Sequence, residues 1–177
     1  MLTLANRLTI LRILMTPVIT VLLLYRQMAA ALALFLLAAI TDGLDGLVAR
    51  WRKQKTTLGM VLDPLADKLL LTSTVVTLTI LKELPRWFTI IVVSRDVLLI
   101  GGSVILYMFL GKISTPPSWL GKATTGFQLV TVVSAMLDNF ILEVKPALLP
   151  LTVITLILTI TSGLDYIYRG ARLLNDQ

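Results

Sequence analysis

Six apolar runs, each close to the roughly 20 residues that cross a hydrocarbon core as a helix, dominate this chain. They lie at about residues 8–25, 29–50, 58–81, 87–110, 119–142 and 148–168. Polar or helix-breaking residues separate them: Arg26-Gln27, Lys53-Gln54-Lys55, Lys82 to Arg86, Gly111 to Pro117, and Glu143 to Pro146. With 56% hydrophobic residues over 177 positions and a mean hydropathy of +0.89, the chain is far more apolar than a soluble domain. The expected fold is all-α and integral to a membrane. It is a single domain over residues 1–177, with six transmembrane helices after a short amphipathic N-terminal segment and with Pro17 as a kink in the first span.

Basic residues orient such a bundle. Arg7, Arg12, Arg50, Arg52, Lys53, Lys55, Lys112, Lys122, Arg169 and Arg172 fall on one face, against Arg26, Lys82, Arg86 and Lys145 on the other. Both termini are therefore expected on the cytoplasmic side of the inner (cytoplasmic) membrane, with no nucleic-acid partner. Arg7 and Arg12 ahead of an apolar run also fit a secretory signal peptide. The i, i+3, i+6 spacing of Asn6, Thr9 and Arg12 favours a helix instead.

Charge is scarce in the runs, and where it appears it is concentrated. Between Asp42 and Asp67 stand four carboxylates, Asp42, Asp45, Asp63 and Asp67, with the glycines Gly43, Gly46 and Gly59. An aspartate at the bilayer centre costs about 2.5–3.5 kcal/mol, so four facing lipid would cost on the order of 10 kcal/mol. They must face inward. On a helix, Asp42, Asp45, Gly46 and Ala49 share one stripe at i, i+3, i+4 and i+7, and Gly59, Asp63 and Asp67 share another at i, i+4 and i+8. Antiparallel neighbours joined through Lys53 and Lys55 would bring the stripes together.

Four converging carboxylates repel unless cations neutralise them. The chain has no His and no Cys, which excludes an imidazole base, a thiolate or a zinc site and leaves oxygen donors suited to Mg²⁺ or Mn²⁺. The glycines let a polar ligand approach the backbone, and Arg50 is suited to a phosphate. Phosphoryl-type transfer is the chemistry this set supports best. A cation transporter, with metal flux and no turnover, is the alternative.

The pattern D-x-x-D-G-x-x-A-R, eight residues, G-x-x-x-D-x-x-x-D resembles the signature of the CDP-alcohol phosphotransferase family, and its eight fixed positions all match over 26 residues. The resemblance implies that Asp42, Asp45, Asp63 and Asp67 hold two divalent cations, Mg²⁺ or Mn²⁺, and that Asp67 is the catalytic base. It also implies that Asp45, Gly46, Ala49, Arg50 and Gly59 surround the cytidine diphosphate. The implied reaction transfers the phosphatidyl group of CDP-diacylglycerol to an alcohol and releases CMP. An intramembrane prenyltransferase also uses aspartates and magnesium, but on a longer chain with more spans.

Asn6-x-x-Thr9-x-x-Arg12, Ser94-Arg95-Asp96 and Leu120-Gly121-Lys122 resemble segments of family members that take glycerol-3-phosphate. Arg12, Arg95 and Lys122 are thereby implied as acceptor-binding residues, with Thr125 and Gln128 completing the pocket. Phosphatidylglycerol is the alternative acceptor and would make the product cardiolipin. A homodimer is implied too, and Gly101-Gly102-Ser103 suggests close helix packing. Tyr166 and Tyr168 read as interfacial aromatics, and the sequence names no partner for Asp165.

Overall fold

The computed structural model describes the backbone over residues 4–52, 57–110, 118–140 and 144–175, and side chains over 8–41, 65–106, 108, 118–140, 144 and 146–173. Among these residues the regular structure is helical throughout: α1 (Leu4–Leu24), α2 (Met28–Arg52), α3 (Thr57–Ile80), α4 (Arg86–Leu110), α5 (Trp119–Leu137) and α6 (Lys145–Asn175). Each apolar run has become one helix. Two of them, over Arg86–Leu106 and Pro146–Leu173, are long and apolar enough to cross a membrane, each with a mean hydropathy of 2.0. Leu8–Leu24 and Met28–Thr41 are shorter apolar stretches.

The amphipathic segment expected ahead of the first span is not a separate element. α1 runs without a break from Leu4 and contains Pro17, and Thr9, Arg12 and Thr16 are buried on one stripe of it. These polar residues lie on the packed face of the helix. α3 starts at Thr57, which puts Pro64 beyond the first turn.

Extensive apolar surface lies outward on these helices, and many polar groups are buried among them. Leu14, Val18, Ile40, Ile90, Val97, Leu149, Ile157 and Leu164 point outward, while Thr74, Thr77, Arg95, Asp96, Gln128, Thr131, Thr155, Thr159 and Ser162 are buried. Soluble proteins seldom expose extended apolar surface or bury polar groups in such numbers. A lipid solvent explains both.

The chain divides into two compact units, Met1–Glu83 and Leu84–Gln177. In the first, α1 packs against both α2 and α3, and among the described residues α2 and α3 do not touch directly. Met28, Ala31, Phe35 and Ala38 form the buried stripe of α2, and Ala66, Leu70, Val75 and Leu78 that of α3. Two helix ends close this unit in the same way. Arg26 (φ 59°) and Lys82 (φ 66°) adopt left-handed backbone. Around them Gln27 N–H bonds Leu22 C=O at 2.9 Å and Arg26 N–H bonds Leu23 C=O at 2.8 Å, matched by Glu83 to Leu78 at 2.9 Å and Lys82 to Thr79 at 3.1 Å. These are paired Schellman terminations without glycine, each carrying a left-handed cost of roughly 1–2 kcal/mol. The Arg26 guanidinium then donates to Glu83 Oε1 at 2.9 Å and joins the two turns.

In the second unit α6 is the shared partner, packed against α4 and α5. Along the α5–α6 seam the Thr131 and Thr155 hydroxyls bond each other at 2.8 Å, and Thr124 donates to the Leu158 carbonyl at 3.0 Å. The α4–α6 seam closes through small residues. A Cβ built on Gly102 would lie 2.7 Å from the Tyr166 ring, and one on Gly170 would lie 3.6 Å from Leu106. Tyr166 is therefore a seam residue, bonded through its hydroxyl to Ser103 Oγ at 2.8 Å. Tyr168 is exposed, as expected. Asp165 accepts from Arg169 Nε at 2.9 Å, one turn on in α6.

Gly102→Val should overpack this seam and cost about 1–3 kcal/mol, read as a lower apparent Tm in detergent. Gly101→Val is the control, because a Cβ there meets nothing within 4 Å, and it should leave the Tm unchanged.

Candidate active site

The residues singled out in the sequence fall in both units, and each unit has its own geometry. In the first, the Arg26–Glu83 bond brings the C-terminal turns of α1 and α3 together, and α1 packs along α3. At about 1.5 Å of rise per residue, Arg12 and Asp67 lie about 18 and about 20 Å along their helices from those turns. They share a level in the unit. Arg12 is 3% exposed, which a guanidinium tolerates only with hydrogen-bonding partners, and Asp67 is half-buried on α3.

α2 and α3 are helical through all eight motif positions, so the spacing that aligns Asp42, Asp45, Gly46 and Ala49 on one stripe, and Gly59, Asp63 and Asp67 on another, is kept. The side chains of Asp42, Asp45, Gly46, Ala49, Arg50, Gly59 and Asp63 lie outside the described residues. Of the predicted metal ligands the structure thus describes the Asp67 side chain. The donor set itself suits a hard divalent cation: carboxylates on regular helices, in a chain without His or Cys.

In the second unit Arg95 is the central group. It is 7% exposed on α4. Its Nη1 donates to Asp96 Oδ1 at 2.9 Å and its Nη2 to Ser162 Oγ of α6 at 3.0 Å. Burial of an isolated charge at this depth would cost several kcal/mol, and the ion pair with two hydrogen bonds offsets that cost. The N-terminus of α5 reaches the same place. Ser118 caps α5 by accepting from Gly121 N–H at 3.0 Å, and a Cβ on Gly121 would lie 3.5 Å from Arg95 Nη2.

Lys122, the second predicted acceptor cation, is exposed beside Gly121, with Nζ 5.3 Å above the Trp119 ring. Arg95 and Lys122 therefore flank Gly121, one buried and one outward. Thr125 bonds back to the Gly121 carbonyl at 3.1 Å. Gln128 is 1% exposed on the buried stripe it shares with Thr124 and Thr131, about 10 Å along α5 from Gly121. It sits in the α5–α6 seam rather than at the α5 N-terminus. Ser118 and Ser162 were not legible as site residues, because the register of α6 against α4 and α5 depends on packing that no local motif reports.

Comparison with known proteins agrees with the motif. The family model described as CDP-alcohol phosphatidyltransferase matches residues 2–161. A probable phosphatidylglycerophosphate synthase of Mycobacterium tuberculosis is 34% identical over 179 residues, covering 96% of this chain and 82% of the relative. The CDP-diacylglycerol--glycerol-3-phosphate 3-phosphatidyltransferase of Aquifex aeolicus is 30% identical over 173 residues, covering 96% of each. A probable cardiolipin synthase (CMP-forming) of Drosophila melanogaster is 36% identical over 184 residues, covering 93% of this chain and 56% of the relative. With its motif carried unbroken on two helices and its matched length spanning both units, this chain belongs to the CDP-alcohol phosphatidyltransferase family.

Proposed function

We propose that the protein transfers the phosphatidyl group of CDP-diacylglycerol to glycerol-3-phosphate, releasing CMP, in phospholipid synthesis at the cytoplasmic membrane. The observation that carries this is the unbroken helical register of the eight-residue motif on α2 and α3. By helical rise alone, Asp42 lies about 21 Å and Asp45 about 26 Å from the start of α2, while Asp67 lies about 20 Å and Asp63 about 26 Å from the end of α3. Each helix thus carries its two aspartates within about one turn of each other. The relatives named phosphatidylglycerophosphate synthase and CDP-diacylglycerol--glycerol-3-phosphate 3-phosphatidyltransferase each align with 96% of this chain, which supports that acceptor. The probable cardiolipin synthase of Drosophila supports a second reading, with phosphatidylglycerol as acceptor.

Asp42, Asp45, Asp63 and Asp67 would hold two ions, Mg²⁺ or Mn²⁺. When bound, such ions neutralise charge on the pyrophosphate oxygens and narrow the gap between the acidity of an alcohol and that of a carboxylate. Asp67 takes the proton of the attacking acceptor hydroxyl on a carboxylate oxygen. Gly46, Ala49 and Gly59 leave room for the nucleotide, and Arg50 pairs with its phosphates. Arg12, Arg95 and Lys122 bind the anionic acceptor. Six spans, cytoplasmic termini and a homodimer complete the proposal.

Purified protein with Mn²⁺ or Mg²⁺ and CDP-diacylglycerol should release CMP when glycerol-3-phosphate is supplied. Release with phosphatidylglycerol alone would favour the second reading, and metal flux without CMP would indicate transport. Asp67→Asn should lower kcat by about 10²–10⁴-fold, the usual contribution of a general base; near-normal turnover would remove Asp67 from that role. Arg95→Glu or Lys122→Glu should raise KM for glycerol-3-phosphate far more than KM for CDP-diacylglycerol, and equal effects on both would contradict their assignment to the acceptor. Because the chain lacks Cys, single cysteines at Asn175 and Lys82 can be labelled cleanly. An impermeant maleimide added outside intact cells should modify the second and spare the first.

A further inference from the structure

Arg95 is held by a more specific arrangement than an ion pair requires. Asp96 is its neighbour in sequence, and consecutive residues of a helix project in different directions. The bond from Nη1 to Asp96 holds one nitrogen of the fork from within α4. The second bond, from Nη2 to Ser162 Oγ at 3.0 Å, comes from α6 and gives the plane a second anchor. Two glycines shape the space around it. A Cβ on Gly163 would stand 3.8 Å from Arg95 Cγ, and one on Gly121 would stand 3.5 Å from Nη2 and 3.7 Å from Ser162 Oγ. Arg95 Nε is buried with no hydrogen-bond partner among the described residues. An arginine has five N–H donors, and the fork thus retains donor capacity beside the capped N-terminus of α5.

We infer that Ser162 is a positioning residue: its hydroxyl fixes the orientation in which Arg95 meets the phosphate of the acceptor, beside the backbone of Gly121 and Gly163. This rests on the reading of Arg95 as an acceptor ligand given above. It adds to that reading a residue of the last helix, contributing to acceptor specificity through Arg95 without touching the acceptor. A purely structural Ser162 would affect stability, with equal consequences for both substrates.

The test is steady-state CMP release by the purified full-length protein, varying CDP-diacylglycerol and glycerol-3-phosphate separately. Wild type is compared with Ser162→Ala, Arg95→Gln and the double variant, and Gly121→Ala approaches the same fork from α5. Ser162→Ala removes one hydrogen bond to a charged group. It should raise KM for glycerol-3-phosphate on the order of tenfold while KM for CDP-diacylglycerol changes less than about twofold. In the Arg95→Gln background the Ser162 substitution should add nothing further. Gly121→Ala should raise the same KM by a smaller factor, and it serves if Ser162→Ala does not fold. An equal rise in both KM values, or a full Ser162 effect persisting without Arg95, would overturn the positioning role. If Arg95→Gln raises the acceptor KM while Ser162→Ala and Gly121→Ala leave it unchanged, the positioning inference alone fails. If Arg95→Gln leaves it unchanged, the acceptor-ligand reading fails and this inference falls with it.

Discussion

The structure depends on satisfying polar groups inside helices whose outer faces are hydrocarbon. In a bilayer, each unpaired donor or acceptor costs several kcal/mol, and this chain meets the constraint largely within single helices. Thr16 donates to the Arg12 carbonyl at 2.9 Å, Thr74 to Leu70 at 2.8 Å, Thr131 to Phe127 at 2.8 Å and Thr159 to Thr155 at 2.6 Å. Each hydroxyl is bonded one turn back along its own helix. A threonine so bonded can be buried in a seam without demanding a partner from the neighbouring helix; Thr131 and Thr155 also lie 2.8 Å apart across theirs, a bond for which one of the two hydroxyls must turn its single proton away from its own helix. Small polar residues can therefore line the interfaces while leucine and isoleucine face outward.

Charged groups cannot be accommodated in this way, and they mark where the packing becomes specific. Arg95 draws partners from two helices and space from two glycines. Arg26 joins two left-handed turns where the ends of α1 and α3 lie side by side. These arrangements place Arg12 level with Asp67 in one unit and Arg95 beside the α5 N-terminus in the other. Among the described residues, Arg95 shows how such burial becomes tolerable, since it is tied to Asp96 on its own helix and to Ser162 across the α4–α6 seam.

The all-helical fold and its six helices were legible from the sequence. Spanning-length apolar runs with polar breaks give helices whose ends agree with the structure within a few residues at most boundaries; α6 runs on past Tyr168 to Asn175. The sequence left open which polar residues near the helix ends take part in helix packing. Thr9 and Arg12 are buried on α1, and Tyr166 packs on Gly102 and bonds Ser103. Polarity along the chain does not report such contacts, because they depend on the neighbouring helix.

What the sequence determined by itself was the number and extent of the helices, the helical phase of the aspartate motif and the family, because helical periodicity and apolar length act locally. What only the tertiary structure decided was which helices share a seam and at what register. That Arg95 is held by Ser162, that Gly102 receives Tyr166, and that α1 stands against both α2 and α3 follow from packing between segments distant in the chain. Several registers would bury similar apolar area. The one adopted is selected by where glycines permit close approach and where buried charges find their partners.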